Sequence, residues 1–351
     1  MSLSRRAVLA GGLALSACDH AAHSQTLSAP ARLPPLKDVA QFPVGTCIRS
    51  DQLADPAFAR LVVEQFSQLT PEWEMKMEYI VQDDGAFRFE GPDKIAAFAH
   101  QNGLRLFGHT LVWYIHRPKA FEQLDEGRVR FVDAYRNYIT AVVGRYRGQA
   151  VAWDVVNETI EDDGSGVRDS LWAERLGKEE HIALAYRFAH DADPGVPLFL
   201  NDYFLETMPK KRAAFLRLVE RLLKAGVPLH GLGTQTHLIA DQQPGLIKAA
   251  IADLASVGLP IHVSEMDVSI AGARGLLKDP RDLEQTQARL YAEAAEAFSL
   301  LPARQRFAFT IWGARDSDSW RRKEAADDTP LLFDANGRPK AAAQAWEQGL
   351  R

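Results

Sequence analysis

Two glutamates in this chain each close a short apolar run. Glu158 ends Val-Ala-Trp-Asp-Val-Val-Asn-Glu (151–158), and Glu265 ends Leu-Pro-Ile-His-Val-Ser-Glu (259–265). Each run reads as a buried strand, and a strand interior has no use for a charge. A carboxylate at the C-terminal mouth of a parallel strand is therefore placed for chemistry. Two such groups, one kept protonated and one ionised, are equipped to cleave a glycosidic bond. The first serves as acid/base and the second as nucleophile.

The elements that would position them can be read along the chain. From residue 44, apolar runs at 44–49, 66–70, 104–112, 150–156, 197–201, 229–235, 260–265 and 306–312 alternate with amphipathic stretches. Helical patterns occupy 94–101, 127–146, 179–189, 210–224, 245–256 and 283–299. Eight strands separated by helices predict an α/β fold, a closed (β/α)8 barrel forming a single catalytic domain over 44–351. A doubly wound open sheet would want a glycine-rich phosphate turn after its first strand; Arg49-Ser50-Asp51-Gln52 stands there instead.

Seven consecutive strand ends carry polar or aromatic residues. Glu72, Trp73 and Lys76 follow strand 2; His109 and Trp113 follow strand 3. Asn157-Glu158 end strand 4, and Asn201-Asp202-Tyr203 end strand 5. Gln235 and His237 belong to strand 6, Glu265 and Asp267 to strand 7, and Trp312 and Trp320 follow strand 8. In a barrel these converge on one pocket. Asp154, Asp202 and Asp267 read as supporting ion-pair groups rather than catalysts.

Composition narrows the partners. The chain of 351 residues is 46% hydrophobic and 25% charged, an ordinary globular balance. A net charge of -5 advertises no basic face to nucleic acid. Two cysteines, Cys18 and Cys47, leave no disulfide framework or cysteine-based zinc site. Cys47 lies in an apolar run and reads as a small buried hydrophobe. Residues 1–18 read as an export signal. Arg5-Arg6 resembles a twin-arginine signal, and Leu15-Ser16-Ala17-Cys18 a lipoprotein box with Cys18 as the lipidated residue. Residues 19–43, with four prolines, read as a tether. The expectation is an exported protein, periplasmic or membrane-anchored through lipid at Cys18, and otherwise secreted.

Gly108-His109-Thr110-Leu111-Val112-Trp113, Trp153-Asp154-Val155-Val156-Asn157-Glu158, Asn201-Asp202-Tyr203, Thr234-Gln235-Thr236-His237 and Glu265-Met266-Asp267 occur in one order. With Arg168-Asp169-Ser170, Trp312-Gly313 and Pro330–Asp334, this series resembles glycoside hydrolase family 10, the retaining endo-1,4-β-xylanases. The resemblance covers about residues 44–345. It implies Glu158 as acid/base and Glu265 as nucleophile, with the two carboxyls about 5–5.5 Å apart. It implies substrate contacts from Glu72, Lys76, His109, Trp113, Asn157, Tyr203, Gln235, His237, Trp312 and Trp320. The substrate implied is xylan or its oligosaccharides, with no metal or organic cofactor.

Two stretches depart from the family pattern. Glu72-Trp73-Glu74-Met75-Lys76-Met77 has Trp73 for an asparagine and Met77 for a tryptophan; His116 and Ala120 replace a glutamine and a tryptophan. These changes fall on the glycone side. They keep alive an alternative, a related retaining β-glycosidase acting on aryl glycosides, short oligosaccharides, cellobiosides or saponins. A metal-dependent barrel enzyme is a third reading, opposed by the lack of a His-x-Glu-x-x-His or His-x-His run. A non-catalytic carbohydrate-binding barrel is a fourth, opposed by retention of both glutamates.

Overall fold

The computed structural model describes residues 33–124, 127–276 and 280–351. Eight parallel strands form a ring: β1 Val44–Ile48, β2 Gln68–Pro71, β3 Arg105–Gly108, β4 Ala150–Asn157, β5 Leu198–Asp202, β6 Gly231–Thr234, β7 Ile261–Ser269 and β8 Arg306–Ile311. Each pairs with the next, and β8 pairs with β1 through Val44 opposite Phe309, which closes the barrel. The predicted (β/α)8 architecture is the one observed. Nearly every strand residue is buried, which explains why the strands read as continuous apolar runs rather than alternating ones.

Helices connect the strands: α1 Pro56–Gln65, α2 Glu90–Gln101, α3 Arg128–Arg145, α4 Glu180–Ala192, α5 Pro209–Lys224, α6 Leu246–Ala255, α7 Pro280–Ser299 and, after β8, α8 Ala341–Gly349. Their starts are written locally. Asp55 caps α1 by accepting from the amides of Ala57 and Phe58, and Pro56 takes the first helical position where no amide is needed. Their buried faces follow helical spacing, as in α5 with Phe215, Leu218, Val219 and Leu222.

Inside the barrel, Phe107, Phe199, Phe307 and His262 pack edge-on or tilted. His262 is fully buried, and burial holds its pKa down to about 3, so it packs as a neutral ring bonded to the Thr310 hydroxyl at 2.8 Å. Two glycines on β6 make room for side chains of β5. A Cβ at Gly231 would lie 2.2 Å from the Phe199 ring, and one at Gly233 2.4 Å from Oδ1 of Asn201.

Two expectations are corrected. The strand expected over 104–112 is two pieces, β3 and a short strand Val112–Trp113. Between them the chain turns at His109, whose peptide to Thr110 is cis, and the Leu111 amide bonds the Asp154 carbonyl. Of the tether expected over 19–43, residues 33–43 are not a tether, and the remainder lies outside the described residues. From Leu33 the chain is part of the compact barrel unit, with Leu36 fully buried and its amide donating to Oε1 of Gln65. Its leucine and phenylalanine outweigh the prolines that suggested a linker. The export signal and Cys18 lie outside the described residues. Cys47 is buried on β1, and burial pushes its thiol pKa up.

Candidate active site

The loops at the C-terminal ends of the strands enclose a cleft of about 500 Å³. The twelve residues expected to act on the substrate all line it: Glu72, Lys76, His109, Trp113, Asn157, Glu158, Tyr203, Gln235, His237, Glu265, Trp312 and Trp320. Of the other strand-end residues Trp73 lines it too, whereas Asn201, Asp202 and Asp267 lie outside its lining.

Glu158 stands just past β4 with a backbone φ of 59°, in the left-handed region that non-glycine residues seldom occupy. The conformation is held from both sides. Its amide donates to the Asn201 carbonyl at 2.8 Å, and Oδ2 of Asp202 receives the Ile160 amide at 3.0 Å. Asp202 is itself buried against the Lys211 ammonium at 3.0 Å. This loop aims the Glu158 carboxyl at Asn157 and Gln235, whose amides donate to its Oε1 at 3.1 and 2.9 Å.

Glu265 is buried within β7. Its Oε1 accepts from the Asn201 amide at 2.8 Å, and its Oε2 lies 3.5 Å from Nε2 of His237. The same Asn201 amide donates to Oδ1 of Asn157 at 2.9 Å. A continuous polar chain thus runs from Glu158 through Asn157 and Asn201 to Glu265. Asn201 keeps this direction because Ser264 donates to its Oδ1 at 2.7 Å and Gly233 leaves it space. The sequence marked Asn201 as a strand-end residue but not as the partner of Glu265. The glycine-rich run of the facing strand was the available signal.

The environments drive the two carboxyls apart. Burial raises Glu158 above the ordinary carboxylate range; the hydrogen bond from Gln235 opposes this, and the charges of Asp202 and Glu265 add to it. Burial would raise Glu265 too, but His109, His237 and Lys76 together hold it below the ordinary value. The His237 side chain is largely but not wholly buried, and burial alone would lower its pKa. Asp267, 3.0 Å from Nδ1, and Glu265 instead raise it to about 9, so the ring is an imidazolium between two carboxylates.

Asp267 also accepts from the Trp320 indole at 2.8 Å and from Arg321 at 2.7 Å, tying the loop after β8 to the floor of the cleft. Asp154, buried, lies 2.8 Å from Nδ1 of His109. Burial lifts its pKa to about 6 against the pull of His109. The supporting roles expected of the three aspartates match these contacts.

The cleft has two unlike walls. Beside Glu265 stand His109, Trp312, Trp320 and the Lys76 ammonium. That ammonium lies 4.5 Å over the Trp113 ring and 5.4 Å over Trp73. Glu72 is paired with Arg49 at 2.9 Å, yet burial leaves its pKa raised. Trp73 is 44% exposed and lines the cleft, braced at its edge by His116. His116 is buried with neither ring nitrogen hydrogen-bonded, and its pKa falls to about 3 through burial and the Lys76 charge. Of the two remaining departures, Met77 is core and Ala120 lies outside the cleft lining. Within reach of the Glu158 charge stand Tyr114 and Tyr203, and Phe204 packs against Tyr203 in the same lining. The Tyr203 hydroxyl donates to Asp162 at 2.6 Å and accepts from Arg168 at 2.9 Å.

Comparison with known proteins agrees with this geometry. The model of glycosyl hydrolase family 10 matches residues 36–348. A β-1,4-xylanase of Dictyoglomus thermophilum is 35% identical over 328 residues, covering 90% of each chain. The endo-1,4-β-xylanase A of Thermoanaerobacterium saccharolyticum is 34% identical over 86% of this chain, which spans only 26% of that protein's length. A solved structure in complex with xylotriose superposes with a TM-score of 0.82 at 30% identity, covering 89% of this chain and 99% of that one. The chain belongs to glycosyl hydrolase family 10.

Proposed function

We propose that the protein is an endo-1,4-β-xylanase that hydrolyses internal β-1,4-xylosidic bonds of xylan or xylo-oligosaccharides with retention of configuration. The observation that carries this reading is the opposed titration of two buried glutamates on one hydrogen-bonded chain, Glu158 raised and Glu265 lowered. Pairs whose environments push their pKa values apart are pairs with divided acid and nucleophile roles.

In the first step the Glu265 carboxylate attacks the anomeric carbon while Glu158 gives its proton to the departing glycosidic oxygen. A glycosyl ester of Glu265 forms, and the aglycone leaves as an alcohol. Esterification removes the Glu265 charge, one of the influences raising Glu158. The carboxyl that was an acid becomes a base, takes a proton from water, and hydroxide displaces Glu265. The Asn157 amide, beside Glu158, is suited to hold a sugar hydroxyl as charge develops.

The test compares hydrolysis of xylan and an aryl β-xylobioside by the wild type, Glu265→Ala and Glu158→Ala, with NMR of the first anomer released. Release of β-configured xylo-oligosaccharides by the wild type alone supports the proposal. An α-product, or activity that survives Glu265→Ala, overturns it.

The exposed indole of Trp73 favours a second reading, a retaining β-glycosidase that prefers short or aryl-linked substrates. It predicts better turnover of the aryl glycoside than of polymeric xylan. Export through residues 1–18, with lipid at Cys18, is also part of the proposed reading. Labelling with radioactive palmitate in the wild type but not in Cys18→Ala would support it, and unlabelled wild type would remove the anchor.

A further inference from the structure

Phe204 is anomalous in two independent ways. It is one of three non-glycine residues with positive φ among the described residues, at 57°, a region where a bulky side chain crowds its own backbone. It is also 37% exposed, and it lines the cleft. A fold gains nothing from straining its backbone to hold a phenyl ring in water. The other two such residues, Glu158 and Thr236, flank the carboxyl-binding Gln235 or carry a carboxyl themselves.

The ring is nevertheless well supported. It packs edge-on against Tyr203, with centroids 4.7 Å apart and an interplanar angle of 76°. Tyr203 is fixed in turn by Asp162, by Arg168, and by the Lys211 ammonium 3.3 Å from its ring centroid. Phe204 therefore projects from a rigid mount.

Which part of the substrate it meets follows from the polarity of the cleft. This step rests on the proposed division of labour between the two glutamates. The sugar that becomes bonded to Glu265 lies toward His109, Lys76 and Trp320. The leaving group lies toward the acid, Glu158, whose field is felt by Tyr114 and Tyr203. Phe204 follows Tyr203 at the end of β5, the strand paired with β4 that leads to Glu158. We propose that Phe204 is a specificity-determining residue that stacks against the flat apolar face of the leaving group. That face is supplied by a pyranose of the aglycone or by an aryl aglycone. The ring buries C–H surface while the hydroxyls at the pyranose rim stay solvated.

The test uses the full-length protein and three donors: xylotetraose, an aryl β-xylobioside, and β-xylobiosyl fluoride, whose leaving group has no ring. In Phe204→Ala the ratio of kcat/KM on xylotetraose to that on the fluoride should fall about tenfold, the size of one lost stacking contact. Most of the loss should appear in KM. Phe204→Trp should keep the ratio. Phe204→Asn, which accepts positive φ readily, should lose the ratio as Phe204→Ala does while melting at a higher temperature than the wild type. A parallel fall on the aryl β-xylobioside extends the platform to aryl aglycones; a fall on xylotetraose alone restricts it to sugars. Ratios unchanged in both Phe204→Ala and Phe204→Asn overturn the proposal. A wild type that cleaves none of the three donors overturns the reading of the site on which it rests.

Discussion

Glu158 must reach the transition state with a proton and Glu265 without one. The rate kcat/KM should therefore fall at low pH as Glu265 protonates, below the ordinary carboxylate range, and at high pH as Glu158 ionises, above that range. His237 is the cation to remove. In His237→Gln the acid limb should move up by roughly one pH unit, read from the pH profile on an activated aryl donor. An unmoved limb would show that His109 and Lys76 suffice. The same histidine has a stability signature. Its folded pKa near 9 exceeds its ordinary 6.5, so its contribution is complete below about pH 6.5 and fades as pH rises through 9. The wild-type melting temperature should fall more steeply over that window than that of His237→Gln. The two glutamates were legible because a charge after an apolar run has no structural reason to be there. Asn201 was legible only as a strand-end amide, because which carboxylate it reaches depends on a neighbouring strand. Phe204 was not legible at all, since the anomaly is a backbone angle.

At the scale of elements, the strand β6 shows how a sheet serves a site. Gly231 and Gly233 share a face of the strand and receive side chains from β5, Phe199 in the barrel core and Asn201 where it bonds Glu265. Their alanine variants should fail differently. Gly231→Ala drives a methyl into the Phe199 ring, and overpacking of this kind costs about 1–3 kcal/mol. It should lower the melting temperature while folded molecules keep their kcat. Gly233→Ala pushes against the Asn201 amide, a movable group, and should displace it from Glu265. The expected loss is about 10- to 100-fold in kcat, with a smaller change in melting. Equal effects on melting and rate in the two variants would contradict this division. The eight strands were readable because burial on both faces makes them unbroken apolar runs. The break in the third was not, because Thr110-Leu111-Val112 is as apolar as the strand before it. What interrupts the strand is the pairing of Leu111 with the Asp154 carbonyl, a partner distant in sequence.

At the scale of the whole molecule, a closed barrel needs its N-terminal end sealed as well as its ring completed. The segment before β1 supplies part of that seal. Leu36 is fully buried, Phe42 meets the Phe298 ring of α7 edge-on at 4.8 Å, and the Lys37 ammonium donates to the Val63 carbonyl at the end of α1. These contacts lie before β1, whereas the cleft residues lie at and beyond the strands' C-terminal ends. Stability and catalysis should therefore separate. Of two chains, one beginning at residue 33 and one at residue 44, the second loses two buried apolar side chains, each contributing about 1.5–3 kcal/mol. It also leaves Oε1 of Gln65 without its amide donor. Its melting temperature should drop by on the order of 10 °C, while kcat/KM at 25 °C stays within about twofold because Gln65, Val63 and Phe298, which meet the removed segment, lie outside the cleft lining. Equal melting of the two chains would return residues 33–43 to the role of a tether. A lower kcat/KM without a lower melting temperature would mean that the seal at one end of the barrel reaches the carboxyls at the other.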